Sequence, residues 1–138
     1  MFLFKVEGCE TYKVLNHADR AQENTSPPYS KSDKRLVFGW YRFKGAAGDR
    51  MPDKCVLLWS CGTQHPGWLN GTHPTVADGI VERKVCFSRR NFCCYWSLNI
   101  TVRNCSGHYV YKLNTTAQIR AGRRFRYCGN GGRAGKLH

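Results

Sequence analysis

Eight cysteines constrain this 138-residue chain more than any other feature. Cys9, Cys55, Cys61, Cys86, Cys93, Cys94, Cys105 and Cys128 are even in number and span nearly its whole length. In an oxidising compartment such a set is a disulfide framework, whereas in the cytosol it reads as metal-binding. No Cys-x-x-Cys pair occurs and no His-x-x-x-His follows a cysteine pair, so zinc-ribbon and zinc-finger spacings are missing. Disulfides are therefore expected, with no metal and no cofactor. The adjacent Cys93 and Cys94 are expected to bond to two different partners and pin one strand to two neighbours, since a direct vicinal bond needs a strained turn. Each bridge contributes about 2–4 kcal/mol, mainly by restricting the unfolded chain.

The asparagines point to the same compartment. Asn-x-Ser/Thr occurs at Asn24, Asn70, Asn99, Asn104 and Asn114. Eight asparagines and fifteen serines and threonines give roughly one such match by chance. Five is an excess, and it indicates passage through a glycosylating, disulfide-forming secretory route. The chain is expected to be secreted or extracellular. Its first six residues carry no basic n-region, full apolar h-region or cleavage site. No apolar run approaches the roughly 20 residues of a membrane-crossing helix. It reads as an excised domain of a longer secreted protein.

Strand periodicity centres on residues 86–111. Trp96, Leu98, Ile100 and Val102 share one face, and Tyr95, Ser97, Asn99, Thr101 and Arg103 share the other. That is a half-buried antiparallel strand. Residues 79–87 precede it and residues 108–113 return after the turn signal Asn104-Cys105-Ser106-Gly107, which predicts a meander. Residues 36–43 read as another strand, and Tyr12, Val14 and Leu15 as a short one. Residues 16–21 fit one or two helical turns, and residues 24–33 an exposed loop carrying the Asn24 sequon. Pro66, Gly67, Gly71 and Pro74 make residues 66–74 read as irregular, with Asn70 on the surface. Asn99 lies on the polar parity and Asn114 after the last strand. Asn104 lies on the Trp96 parity beside Cys105 and is set apart from the other four. The fold class expected is mainly β: a small disulfide-rich domain with an antiparallel meander, long loops and at most short helical turns.

Charge adds a second theme. Twenty-two Lys and Arg against nine Asp and Glu give a net charge of +13, which attracts anionic polymers and membranes non-specifically. Arg120, Arg123, Arg124 and Arg126 form a run that is a candidate polyanion (glycosaminoglycan) site, although such runs are more often solvated surface. No specific nucleic-acid motif accompanies it. Catalytic signatures are missing: there is no Gly-x-Ser-x-Gly and no His-Glu-x-x-His, and the Gly pair at 45 and 48 has no Walker pattern after it. His17, His65, His73, His108 and His138 are dispersed. A cysteine-dependent enzyme is the third and least favoured reading, because it needs a free thiol. The chain reads as a binding or display module rather than an enzyme.

An ordered series of motifs carries a family resemblance. Gly39-Trp40-Tyr41-Arg42-Phe43 is followed by Met51-Pro52-Asp53-Lys54-Cys55 and Cys61-Gly62-Thr63. Then come Trp68-Leu69-Asn70-Gly71-Thr72-His73-Pro74, Gly79-Ile80-Val81-x-Arg83-x-Val85-Cys86 and Cys93-Cys94-x-Trp96, and finally Tyr109-Val110-Tyr111 and Tyr127-Cys128. Over residues 9–129 this resembles the eight-cysteine domain of the uromodulin, zymogen-granule glycoprotein and oncoprotein-induced liver protein family. The domain is expected at 9–129, between an N-terminal flank at 1–8 and a flexible Gly-rich tail at 130–138. The resemblance implies an extracellular, N-glycosylated module, usually beside EGF-like or zona-pellucida domains. In uromodulin-like proteins that module offers mannose-type glycans to bacterial fimbrial adhesins. The Asn70 sequon matches the family's Trp-Leu-Asn-Gly-Thr segment, and Asn114 lies near the one that follows Tyr-Val-Tyr. Ser32 stands where uromodulin-like sequences carry a Cys, and no Cys stands near Ile119 where another is expected. Those two are expected to form one bridge in relatives, lost here as a unit.

Overall fold

Alternation of large apolar and polar residues builds strands, and here it builds little else. The computed structural model describes residues 6–132. Among them are seven strands: β1 (Lys13–Leu15), β2 (Gly39–Phe43), β3 (His65–Asn70), β4 (Ile80–Arg89), β5 (Phe92–Asn104), β6 (Tyr109–Leu113) and β7 (Phe125–Tyr127). They form one sheet in the order β1-β2-β6-β5-β4-β3-β7. The outermost pairs, β1 with β2 and β3 with β7, are parallel, and the rest are antiparallel. The expected β4-β5-β6 meander is therefore present, and the only helical segments among the described residues are 3-10 turns at Ala18–Arg20, Gly45–Ala47 and Val76–Asp78. No helix among the described residues is long and apolar enough to cross a membrane.

The parity read from the sequence sorts the two faces of the sheet. Phe43, Leu69, Val85, Phe87, Val102 and Tyr111 build the main core on one face, closed over by loop residues such as Ala47 and Met51. On the other face Trp68 sits opposite Cys86, and with Val56, Cys61 and Cys128 they form a smaller cluster built around sulfur. A single sheet covered by loops buries less apolar surface than two packed layers.

Three expectations about elements need correction. Residues 66–70 are not irregular: they belong to β3, between β4 and β7. Gly67 is there for close packing, since a Cβ on it would come within 2.6 Å of the Phe87 ring. The strand expected from residue 36 begins at Gly39, which pairs with Leu113 at the end of β6, so residues 36–38 have no partner strand to pair with. The arginine run ends in β7, where Phe125 and Tyr127 point into the core and Arg126 points to the opposite face.

The end of the supposedly exposed loop turns inward. Arg20 donates from both Nη atoms to the two Asp33 carboxylate oxygens, at 2.9 and 2.7 Å. Asp33 also accepts the Tyr127 backbone N–H at 2.8 Å, and Arg20 donates to the Tyr127 carbonyl at 2.9 Å. This buried pair locks the N-terminal third onto β7. Of the expected flank, residues 6–8 are described, with Gly8 under the Trp40 ring. Of the expected Gly-rich tail, residues 130–132 are hydrogen-bonded to Arg50, Ala47 and Glu23. Residues 1–5 of the flank and 133–138 of the tail, including His138, lie outside the described residues.

Candidate functional site

All eight cysteines are bridged: Cys9–Cys105, Cys55–Cys93, Cys61–Cys128 and Cys86–Cys94. The vicinal pair behaves as its geometry demands, and a bulge makes this feasible. Phe87 pairs with Trp96 and Arg89 with Phe92, so residues 93–95 of β5 stand opposite Ser88 alone. The extra length swings Cys93 towards the loop at Cys55 and Cys94 back to Cys86 on β4. Trp68 fixes the bulge by donating its indole N–H to the Cys93 carbonyl at 2.8 Å. No free cysteine remains among the described residues, so none of these eight supplies the thiol nucleophile that the cysteine-enzyme reading requires.

The histidines do not converge on a single site. His17 is exposed, while His65 is buried and His73 and His108 are partly so. His73 Nε2 lies 2.7 Å from the Tyr111 hydroxyl, which accepts the Met51 backbone N–H at 2.9 Å. The Tyr111 hydroxyl meets no other acceptor among the described residues, so its proton is directed at His73 Nε2, an arrangement that requires the neutral ring. Burial, and after it the Arg50 charge, pushes the His73 pKa down to about 4.

The sequons occupy three settings. Asn70, Asn99 and Asn114 are exposed. Asn24 is only half-exposed, and its Nδ2 donates to the Asp19 carbonyl at 3.0 Å. Asn104 is likewise half-buried, with Nδ2 donating to the Pro74 carbonyl at 3.1 Å and Oδ1 accepting the Ser106 N–H at 2.8 Å. Asn70 stands directly opposite Lys84, and Lys84 directly opposite Asn99. Residues directly opposite in a sheet share a face. The two sequons thus flank one lysine in a single cross-strand row, about 10 Å apart at strand spacings of about 4.8 Å.

The arginine run does not act as one patch. Arg120 and Arg124 are exposed and Arg123 is partly so, but Arg126 is buried, 5% exposed. Its Nη1 donates to the Asp19 carboxylate at 2.9 Å and to the Cys61 carbonyl at 3.1 Å. Burial alone would raise the Asp19 carboxyl, but the hydrogen bond and charge of Arg126 hold it below the usual carboxylate range. Arg126 is a structural residue and drops out of the polyanion candidates, because its guanidinium already has an acid and lies under the Cys61–Cys128 bridge. Arg123 instead meets Arg89 and Arg90 around a pocket that also includes Trp59 and His65. Arg89 ends β4 and Arg90 opens the exposed turn after it, and the β3–β7 pairing brings them to Arg123.

Comparison with known proteins follows the same lines. The family model for the uromodulin-like eight-cysteine domain matches residues 41–129. Pancreatic secretory granule membrane major glycoprotein GP2 of Canis lupus familiaris is 41% identical over 121 residues, which cover 87% of this chain and 23% of that protein. The Homo sapiens protein of the same name is 38% identical over 121 residues, covering 87% of this chain and 21% of that protein. Uromodulin of Rattus norvegicus is 41% identical over 106 residues, covering 76% of this chain and 16% of that protein. The chain spans less than a quarter of the length of these curated relatives. With a family match over most of its length and every cysteine in a bridge, the chain belongs to the uromodulin-like eight-cysteine domain family.

Proposed function

We propose that the chain is an extracellular, N-glycosylated recognition module that displays mannose-type glycans for capture by lectin-like adhesins. The observation that carries this reading is the row Asn70–Lys84–Asn99, two exposed acceptors on the outer face of a cross-linked sheet. A disulfide-stapled sheet gives two glycans a defined separation, which a flexible loop does not. Asn114 is a third display position, and Asn24 and Asn104, whose amides are engaged, are weaker ones. The module is residues 9–129, from the first cysteine to the residue after the last. It serves as one unit of a longer secreted or membrane-anchored chain, with EGF-like or zona-pellucida domains as its natural neighbours. One relative named for a secretory granule membrane supports that setting.

The test is secretion from glycosylating cells, followed by glycopeptide mapping and binding to a mannose-specific fimbrial adhesin. Higher occupancy is expected at Asn70 and Asn99 than at Asn24 and Asn104. The double variant N70Q/N99Q is expected to lose most adhesin binding while keeping its four bridges. Undiminished binding by enzymatically deglycosylated protein would overturn the reading.

A further inference from the structure

We propose that the pocket between the β4–β5 turn and the loop before β7 is a binding subsite for an anionic saccharide, a sugar unit carrying sulfate or carboxylate. This goes beyond glycan display and does not depend on the chain's own glycans. Three guanidiniums converge there from distant parts of the sequence: Arg89 from the end of β4, Arg90 from the turn after it, and Arg123 from the loop. No acidic residue lines the pocket, and none of the three is salt-bridged among the described residues. Gathering like charges without a counter-charge costs energy, and a bound oxyanion removes that cost.

The arginines are also held in place. Arg89 lies over the Tyr95 ring at 4.8 Å, and Arg89 and Arg123 each lie 6.0 Å from the Trp96 ring. Stacking of this kind leaves the guanidinium edges free to donate. Beneath them His65 is almost completely buried. Its Nδ1 faces the Ser88 carbonyl at 2.9 Å and so carries the proton, leaving Nε2 as an acceptor 3.5 Å from Arg123 Nη1. A neutral histidine thereby aims Arg123 without cancelling its charge.

One wall is aromatic. Trp59 has a positive φ of 62°, unusual for so large a side chain, and packs at a tilt against Tyr29, ring centroids 5.3 Å apart, while remaining 41% exposed. Such conformations persist only where the surrounding structure enforces them. The pocket has a volume of about 370 Å³, enough for one or two sugar rings. A sugar stacks one face on an indole while its oxyanions take paired donors from the arginine forks. Three guanidiniums clustered at one point suit several oxyanions on neighbouring rings. A nucleic acid strand, with one phosphate per nucleotide, needs a longer basic track.

The test is calorimetric titration of the secreted chain with a heparin-derived hexasaccharide at low and high salt. A desulfated hexasaccharide that keeps its uronates forms a second arm, and a thymidine oligonucleotide a third. R90Q/R123Q is expected to weaken hexasaccharide binding at least about tenfold, the loss of two charge-assisted contacts. K13Q/K44Q removes the same charge at the opposite edge of the sheet and is expected to change affinity less than about twofold. R90Q alone, in an exposed turn, gives a partial loss and guards against a folding defect in the double variant. W59A is expected to weaken binding without changing its salt dependence. Binding that survives desulfation assigns the carboxylate as the recognised oxyanion, and binding that does not assigns the sulfate; either supports the site. Equal losses in the two double variants, oligonucleotide binding as tight as the saccharide's, or no binding at low salt would overturn it.

Discussion

Tyr111 shows how one buried hydroxyl sets the charge of its neighbour. It accepts the Met51 N–H and, with no other acceptor in reach, directs its own proton at His73, a hydrogen bond that protonation of His73 would break. The His73 pKa falls from about 6.5 unfolded to about 4 folded, first through burial and then through Arg50. Above pH 6.5 neither state binds the proton and His73 leaves stability unchanged. Between about 6.5 and about 4 only the unfolded state binds it, so stability declines as pH falls and levels off below. Burial lowers His65 and His108 in the same direction. Urea unfolding at neutral and mildly acidic pH measures this, and H73Q, which still accepts from Tyr111, is expected to flatten the slope; an unchanged slope assigns it elsewhere. Little at this scale was legible in the sequence. Asp33 closes a run of serines, prolines and lysines, and nothing local reveals that Arg20 and the Tyr127 backbone claim its carboxylate. Arg126 is disguised in the same way by the exposed arginines before it.

Strands with clean alternation were readable, and those interrupted by glycine, proline or arginine were not. The β5 parity assigned Trp96, Leu98, Ile100 and Val102 to the core face correctly, because one buried face imposes a period of two. In β3 the same rule was masked by Pro66 and Gly67, and in β7 by Arg126. Gly67 is a packing glycine: G67A is expected to cost about 1–3 kcal/mol by driving a methyl into the Phe87 ring. Thermal unfolding of G67A against wild type tests this, and a neutral result would mean that β3 and β4 can separate freely. The bulge at residues 93–95 explains why the Asn70–Lys84–Asn99 row could not be foreseen. Extending the two-residue turn at Arg90 and Asn91 without a bulge sets Lys84 opposite Ser97, two places from its true partner Asn99.

For the molecule as a whole, the even cysteine count was enough to expect a disulfide framework, and strand periodicity an antiparallel meander within it. The pairing was not readable, since it depends on long-range register that the bulge conceals. The four bridges close very different loops, from the 96-residue separation of Cys9–Cys105 to the 8-residue separation of Cys86–Cys94. Loop-closure entropy makes the first worth about 4–5 kcal/mol and the second about 2–3 kcal/mol. Denaturation of the paired variants C9S/C105S and C86S/C94S is expected to show the larger loss in the first, and the reverse order would mean that strain or residual structure outweighs chain entropy. The same cross-links have a mechanical consequence. Tension applied between Cys9 and Cys128 passes through the Cys9–Cys105 bond and then along only the 23 residues from 105 to 128. Even with every hydrogen bond broken, that path reaches about 80 Å, against about 400 Å for the 119 residues of a reduced chain. While its sulfurs stay oxidised, the module is a link of capped length that can lose its fold under load and still pay out only about a fifth of the reduced chain's reach.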